Sequence, residues 1–207
     1  MIIITGYHRN KENIMTESIK ILGISGSLRK RSLNTRLLEI AQSVLPGGVT
    51  LEIADLSAIP FYDGDVEKEG LPQSVLDFRK KIHEADAILF ASPEYNSSFT
   101  GVLKNALDWA SRPPKGEPYA MPPTTGKPYA IVGVGGRYGT SRAQSHLRQV
   151  LQKMDMPGVN QPEILVQNQP VPVFDQDLNL TDTVAVQLIE ILLKNLVKLV
   201  GQTRAVQ

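Results

Sequence analysis

A chain of 207 residues with a net charge of +1 has room for one substantial core, and it lacks the basic excess that a nucleic-acid surface or a polybasic membrane anchor needs. Cysteine is absent, which removes disulfide frameworks, thiolate metal sites and cysteine nucleophiles, and fits a reducing compartment such as the cytoplasm. No apolar run is long enough to cross a bilayer, and Met1-Ile2-Ile3-Ile4 is too short for a signal-peptide core.

Residues 1–18 read as an irregular leader outside the fold, with Met15 an alternative start, and 19–207 as a single domain. The first strand, 19–24, runs into Gly26-Ser27-Leu28-Arg29-Lys30-Arg31-Ser32-Leu33-Asn34, a hydroxyl-, amide- and arginine-rich loop that opens a helix near Asn34. That helix carries Leu37, Leu38, Ala41, Val44 and Leu45 inward, and Pro46-Gly47-Gly48 stops it. Strand two, 49–54, alternates apolar and polar residues as an edge strand does. Helix two follows Pro72 and puts Val75, Phe78, Ile82 and Ala85 on one face. Strand three, 87–91, is apolar throughout, the pattern of a central strand. Helix three spans about 101–111, with Lys104 and Asp108 spaced to pair and Trp109 in the core or at an interface.

A proline-rich connection, 113–128, is too long for an ordinary loop and reads as a flap or a partner contact. Strand four is 129–134. Helix four starts at Ser141, with Gln144 in capping-box register. Strand five is 164–166. The last helix, 183–200, carries Val184, Leu188, Ile191, Leu192, Leu196 and Leu199, a surface wide enough to cover the sheet and meet another subunit. His8, His83 and His146 fall in the leader and on helices, and read as surface or half-buried residues.

Alternating strands and helices imply an α/β fold, a parallel sheet sandwiched between helices. Five strands favour the flavodoxin-like three-layer arrangement with strand order 2-1-3-4-5. In that order the loops after strands one, three and four share a crevice, and these are the unusual loops here. Loop one suits a terminal phosphate: Ser25, Ser27, Ser32, Asn34 and Thr35 can donate neutral hydrogen bonds, Arg29 a charged one, and the helix N-terminus adds its dipole. Loop three, Ser92-Pro93-Glu94-Tyr95-Asn96-Ser97-Ser98-Phe99, offers a flat ring at Tyr95 and a donor and acceptor at Asn96, as a planar heterocycle requires. Loop four supplies Gly135 and Gly136, where backbone can approach a ring closely. Loops after strands two and five lack comparable features. A phosphate pocket beside a planar-ring pocket describes FMN. The plainer readings are a solvated basic turn at Arg29-Lys30-Arg31 and an ordinary polar turn at Glu94-Tyr95-Asn96.

Four motifs in order, Gly26-Ser27-Leu28-Arg29-x-x-Ser32-x-Asn34, Pro93-Glu94-Tyr95-Asn96, Gly101-x-Leu103-Lys104-Asn105-Ala106-x-Asp108-Trp109 and Arg142-Ala143-Gln144-x-x-Leu147-Arg148-Gln149, resemble the NADPH-dependent FMN reductase family, in particular its quinone/chromate reductase and azoreductase-like members. The resemblance spans about 19–166. It implies non-covalent FMN, a flavodoxin-like fold, and homodimers or homotetramers with the flavin near a subunit interface. By motif position it implies that Ser25, Ser27, Arg29, Ser32, Asn34 and Thr35 surround the phosphate. Pro93, Glu94, Tyr95 and Asn96 would then meet the ribityl chain and ring, with Gly135, Gly136 and Arg137 at the far edge of the ring. NADPH or NADH would reduce the flavin by ping-pong exchange with a quinone, azo compound, free flavin or metal-oxyanion acceptor, and no side chain is expected to carry the hydride. The connection from Pro113 to Lys127 is longer than usual for the family, and Arg137-Tyr138 replaces small residues. Arg137 is a candidate partner for the 2′-phosphate of NADPH, or a surface ion pair. The rival readings are a non-enzymatic FMN electron carrier and a regulatory domain that binds a phosphate ligand. A P-loop NTPase and a G-x-S-x-G hydrolase are disfavoured, since the first strand is followed by neither motif.

Overall fold

The five segments read as strands form one parallel sheet. A computed structural model of the chain describes residues 18–113 and 120–205. The expected leader with His8 and Met15, Ser18 apart, lies outside the described residues, as does the middle of the proline-rich connection. The elements in chain order are β1 (Ile19–Ser25), α1 (Leu33–Ser43), β2 (Val49–Ala54), α2 (Gly64–Glu69), α3 (Gln73–Glu84), β3 (Ala87–Ala91), α4 (Gly101–Ala110), β4 (Tyr129–Gly135), α5 (Ser141–Lys153), β5 (Ile164–Gln167) and α6 (Thr183–Arg204). The strand order is β2-β1-β3-β4-β5, all pairs parallel, with β1 registered Ile21 to Ala87 and Ser25 to Ala91 against β3. This is the flavodoxin-like sheet expected from the strand count, with β2 at its edge and β3 at its centre.

Strand periodicity of two sends alternate side chains to opposite faces. Ile21, Leu89, Val132 and Val166 face α1 and α6, while Leu22, Ile24, Phe90 and Ile131 face α3, α4 and α5. Burying each such Leu, Ile or Phe contributes about 1.5–3 kcal/mol, so two filled faces hold the sheet rigid under its loops.

The last helix differs from expectation. Its buried stripe is Ala185, Ile189, Leu192, Leu193, Leu196 and Val200, and Val184 and Ile191 are exposed. Apolar residues occupy most of its circumference, so spacing alone does not choose the face. The one-turn helix α2 was not expected; it buries no residue and therefore has no apolar pattern to read.

Trp109 is fully buried. Its indole Nε1 donates to the Pro60 carbonyl at 2.9 Å, and its ring meets Tyr62 edge-on with 4.9 Å between centroids. Arg79, also buried, donates to the Trp109 and Ala110 carbonyls at 3.1 and 2.9 Å and closes the end of α4. Burial pushes the Arg79 guanidinium below its ordinary value, and neighbouring Arg112 adds to the effect. Lys104 and Asp108 pair at 2.7 Å across one turn of α4, as their spacing predicts. His83 and His146 are exposed.

Candidate active site

Loop one turns at the C-terminal end of β1. Ser27 Oγ accepts from the Arg29 N–H at 3.3 Å, and Ser32 caps α1 by accepting from the Thr35 N–H at 3.2 Å. That cap leaves the Leu33 and Asn34 N–H groups of the first turn available to an anion. Ser25 Oγ and Thr35 Oγ1 are 2.7 Å apart and brace the loop from behind. The Arg29 guanidinium is exposed and makes no ion pair with a carboxylate among the described residues.

Asn34 ties this loop to strand four. Its Nδ2 donates to the Val134 carbonyl at 2.9 Å and its Oδ1 accepts from the Val134 N–H at 3.0 Å. Both ends of the buried amide are thus committed inside the protein. Thr100 makes a second tie: it caps α4 and donates to the Gly26 carbonyl at 2.6 Å.

Loop three is a tight turn. The Tyr95 N–H donates to the Ser98 carbonyl at 2.9 Å and the Ser98 N–H returns to Tyr95 at 3.1 Å, with Asn96 and Ser97 at φ 49° and 64°. Two successive left-handed residues make this a hairpin-type turn that asparagine tolerates. Tyr95 is half exposed, its ring free to serve as a platform. Glu94 turns the other way. Its carboxylate accepts from the Arg142 and Ala143 N–H groups at 3.0 and 3.2 Å and from Arg142 Nε at 2.7 Å. It therefore caps α5 from a distant loop, and the negative charge meets the positive end of that helix. The capping box expected from Ser141 and Gln144 does not form. Thr140 is the cap position, and Gln144 Nε2 instead binds Thr140 Oγ1 and the Ile164 carbonyl at 3.1 and 2.8 Å. Arg142 also lies over the exposed Tyr138 ring, 4.9 Å from its centroid.

In loop four, Gly135 packs so closely on Gly139 that a Cβ there would stand 1.9 Å from the Gly139 carbonyl oxygen. Gly136 differs: its added Cβ would meet only the Gln169 side chain, at 3.2 Å. That face of the glycine is covered by Gln169, and both residues line the same cleft.

These three loops enclose a cleft of about 230 Å³ lined by Ser27, Arg29, Ser32, Leu33, Asn34, Pro93, Glu94, Tyr95, Val134, Gly135, Gly136, Asn168 and Gln169. Arg29 and Tyr95 thus share one cavity. Ser25, Thr35, Asn96 and Arg137 stand outside its lining: the first two behind loop one, Asn96 in the turn, and Arg137 exposed on loop four. The loop after strand five, read from sequence as featureless, contributes Asn168 and Gln169. The sequence signal was the polar run Gln167-Asn168-Gln169 directly behind an apolar strand. Strand β5 neighbours β4, so its exit lies beside Gly135, whose carbonyl accepts from the Asn168 N–H at 2.9 Å.

The donor set fits FMN. Hydroxyls, first-turn N–H groups and a guanidinium with no ion pair among the described residues suit a phosphate dianion, while Pro93, Tyr95 and the Gly136 backbone suit a flat ring. No group of side chains suited to hold a metal ion occurs among the described residues.

The family model of the NADPH-dependent FMN reductases matches residues 19–170. An NAD(P)H-dependent FMN reductase of Pseudomonas aeruginosa is 48% identical over 177 residues, spanning 85% of this chain and 92% of that protein. An NAD(P)H:quinone oxidoreductase of Solanum tuberosum is 46% identical over 169 residues, spanning 79% and 84%. Among solved structures, the flavoenzyme NAD(P)H:(acceptor) oxidoreductase FerB of Paracoccus denitrificans superposes with a TM-score of 0.77 at 29% identity, covering 89% of this chain and 98% of its own. The family match over most of the sequence and the high identity to these relatives show that the chain belongs to the NADPH-dependent FMN reductase family.

Proposed function

We infer that this protein is an FMN-dependent NAD(P)H oxidoreductase that passes electrons to small-molecule acceptors, quinones foremost. The observation that carries the reading is the convergence of Arg29, Tyr95 and Gly136 on one cleft. FMN, when bound, supplies the hydride-accepting chemistry. The protein binds and orients it. Ser27, Ser32, Arg29 and the first-turn N–H groups of α1 hold the phosphate. Pro93 and Tyr95 form the platform under the ring, and Gly135 and Gly136 bound its edge. Ser25, Thr35, Asn34 and Glu94 fix the loops that present those groups. The cleft is smaller than the roughly 300–1,000 Å³ of an enclosed small-molecule site. With FMN held there, nicotinamide and acceptor would reach the ring in turn from the exposed side of the cleft, where Tyr95 and Gly136 lie. Asn96 and Arg137 lie outside the lining, and exposed Arg137 would be the partner for the 2′-phosphate of NADPH.

A homodimer or homotetramer completes this picture. An apolar groove of about 1100 Å³ runs between α4 and α5, lined in part by Phe99, Leu107, Met121, Val150 and Met154. No helix among the described residues is long and apolar enough to cross a membrane, and we place the protein in the cytoplasm. Anaerobic visible spectroscopy tests the reading. Flavin absorbance should bleach on adding NADPH and return on adding a quinone. A protein that takes up flavin but is not reduced by either nicotinamide would instead be an electron carrier.

A further inference from the structure

Of the polar side chains that line the cleft, Ser32, Asn34 and Glu94 are engaged within the protein, while Arg29, Tyr95 and, in the loop after β5, Gln169 have no side-chain hydrogen-bond partner among the described residues. In that loop, Asn168 is an anchor: its N–H binds the Gly135 carbonyl and its Oδ1 accepts from the Val173 N–H at 2.9 Å. The chain then makes an excursion closed by the Thr181 N–H on the Val173 carbonyl at 2.8 Å. Two arginines strap it to the phosphate-loop side of the fold: Arg31 Nη2 donates to the Gln176 carbonyl at 2.8 Å and Arg36 Nε to the Leu178 carbonyl at 3.0 Å. Gln169 is thus held by a fastened loop. Its own carboxamide has no hydrogen-bond partner among the described residues, and it lies against Gly136, with its Oε1 3.2 Å from where a Cβ of that glycine would stand. An amide presented on a rigid loop at a ring edge is a neutral donor, matched to a carbonyl oxygen rather than to a phosphate dianion.

We propose that Gln169 is a cofactor-contacting residue that donates from its carboxamide to the carbonyl-bearing edge of the bound flavin ring. This rests on the FMN reading of the cleft. Arg31, in the same basic run as Arg29, serves it indirectly as a positioning residue by fixing the excursion.

The test is a flavin-fluorescence titration of the full chain freed of flavin, with FMN and separately with riboflavin, for the wild type, Gln169→Ala and Gln169→Leu. Loss of one hydrogen bond should weaken FMN about tenfold and riboflavin by the same factor, since the contact is to the ring. Leucine keeps the bulk of glutamine and must lose as much as alanine. Affinity unchanged in the variants, or recovered by leucine, overturns the proposal, as does weakening confined to FMN, which would put Gln169 at the phosphate. A wild type that binds no FMN overturns the cleft reading and this inference together. Tight wild-type binding with unaltered variants overturns the inference alone.

Discussion

Arg29 is the one cation among the residues that line the cleft, and it makes no ion pair among the described residues. A charge-assisted bond to a phosphate contributes about 1.5–3 kcal/mol. Arg29→Ala should therefore weaken FMN binding on the order of 10- to 100-fold while leaving riboflavin affinity nearly unchanged, as read by quenching of flavin fluorescence. Asn34 acts differently, because its amide is buried and bonded at both ends to Val134. Asn34→Ala strands a buried donor and acceptor, and should cost about 2–4 kcal/mol of stability, measured by urea denaturation. At Gly135 the limit is backbone contact: a methyl group cannot be accommodated 1.9 Å from the Gly139 carbonyl oxygen without moving loop four. Gly135→Ala should lower the melting temperature and weaken FMN and riboflavin alike.

At the scale of elements, the excursion after β5 depends on Asp175. Its Oδ1 accepts from the Asp177 and Asn179 N–H groups at 2.9 and 2.8 Å, and its Oδ2 from Asn179 Nδ2 at 2.9 Å. The Asn179 bonds, side chain first, hold the carboxyl below its ordinary value of 3.8. A depressed carboxylate stabilises the fold above its unfolded pKa and ceases to do so as pH falls through the lower folded one. Denaturation midpoints of wild type and Asp175→Ala should differ at pH 6 and converge below pH about 3.8. The same elements show what a sequence discloses. Strands β1, β3, β4 and β5 were legible because apolar runs ended in glycine, proline or a polar loop, and β2 because it alternates. The cap of α5 was not, because it comes from Glu94, 48 residues before Arg142. Gln169 was not, although the expected strand order already set β5 beside β4, because one amide in the polar run Gln167-Asn168-Gln169 has no spacing that marks it out. Loop composition revealed which residues suit a phosphate and a ring. It did not separate those that line the cleft, such as Ser27 and Ser32, from Ser25 and Thr35, whose hydroxyls bind each other.

For the whole molecule, the groove between α4 and α5 is the face we propose for contact between subunits. Met121 on its wall is 73% exposed, an apolar side chain that a monomer would leave in water. Light scattering should give the mass of a dimer or tetramer, and Met121→Lys with Val150→Lys should shift it toward the monomer with the circular dichroism intact. A mass unchanged by both substitutions would place any subunit contact elsewhere.

Trp109 is the sole tryptophan of the sequence, and its indole sits sealed beneath Pro60 and Tyr62 rather than among the residues of the cleft. The chain thereby carries its own optical gauge. A shielded indole emits at short wavelength, so a red shift during denaturation follows the collapse of the α4 face without an added dye. Flavin absorbs in that emission band. Dimming of the signal at constant wavelength would register loading of the yellow ligand, so one cuvette can distinguish occupancy from unfolding.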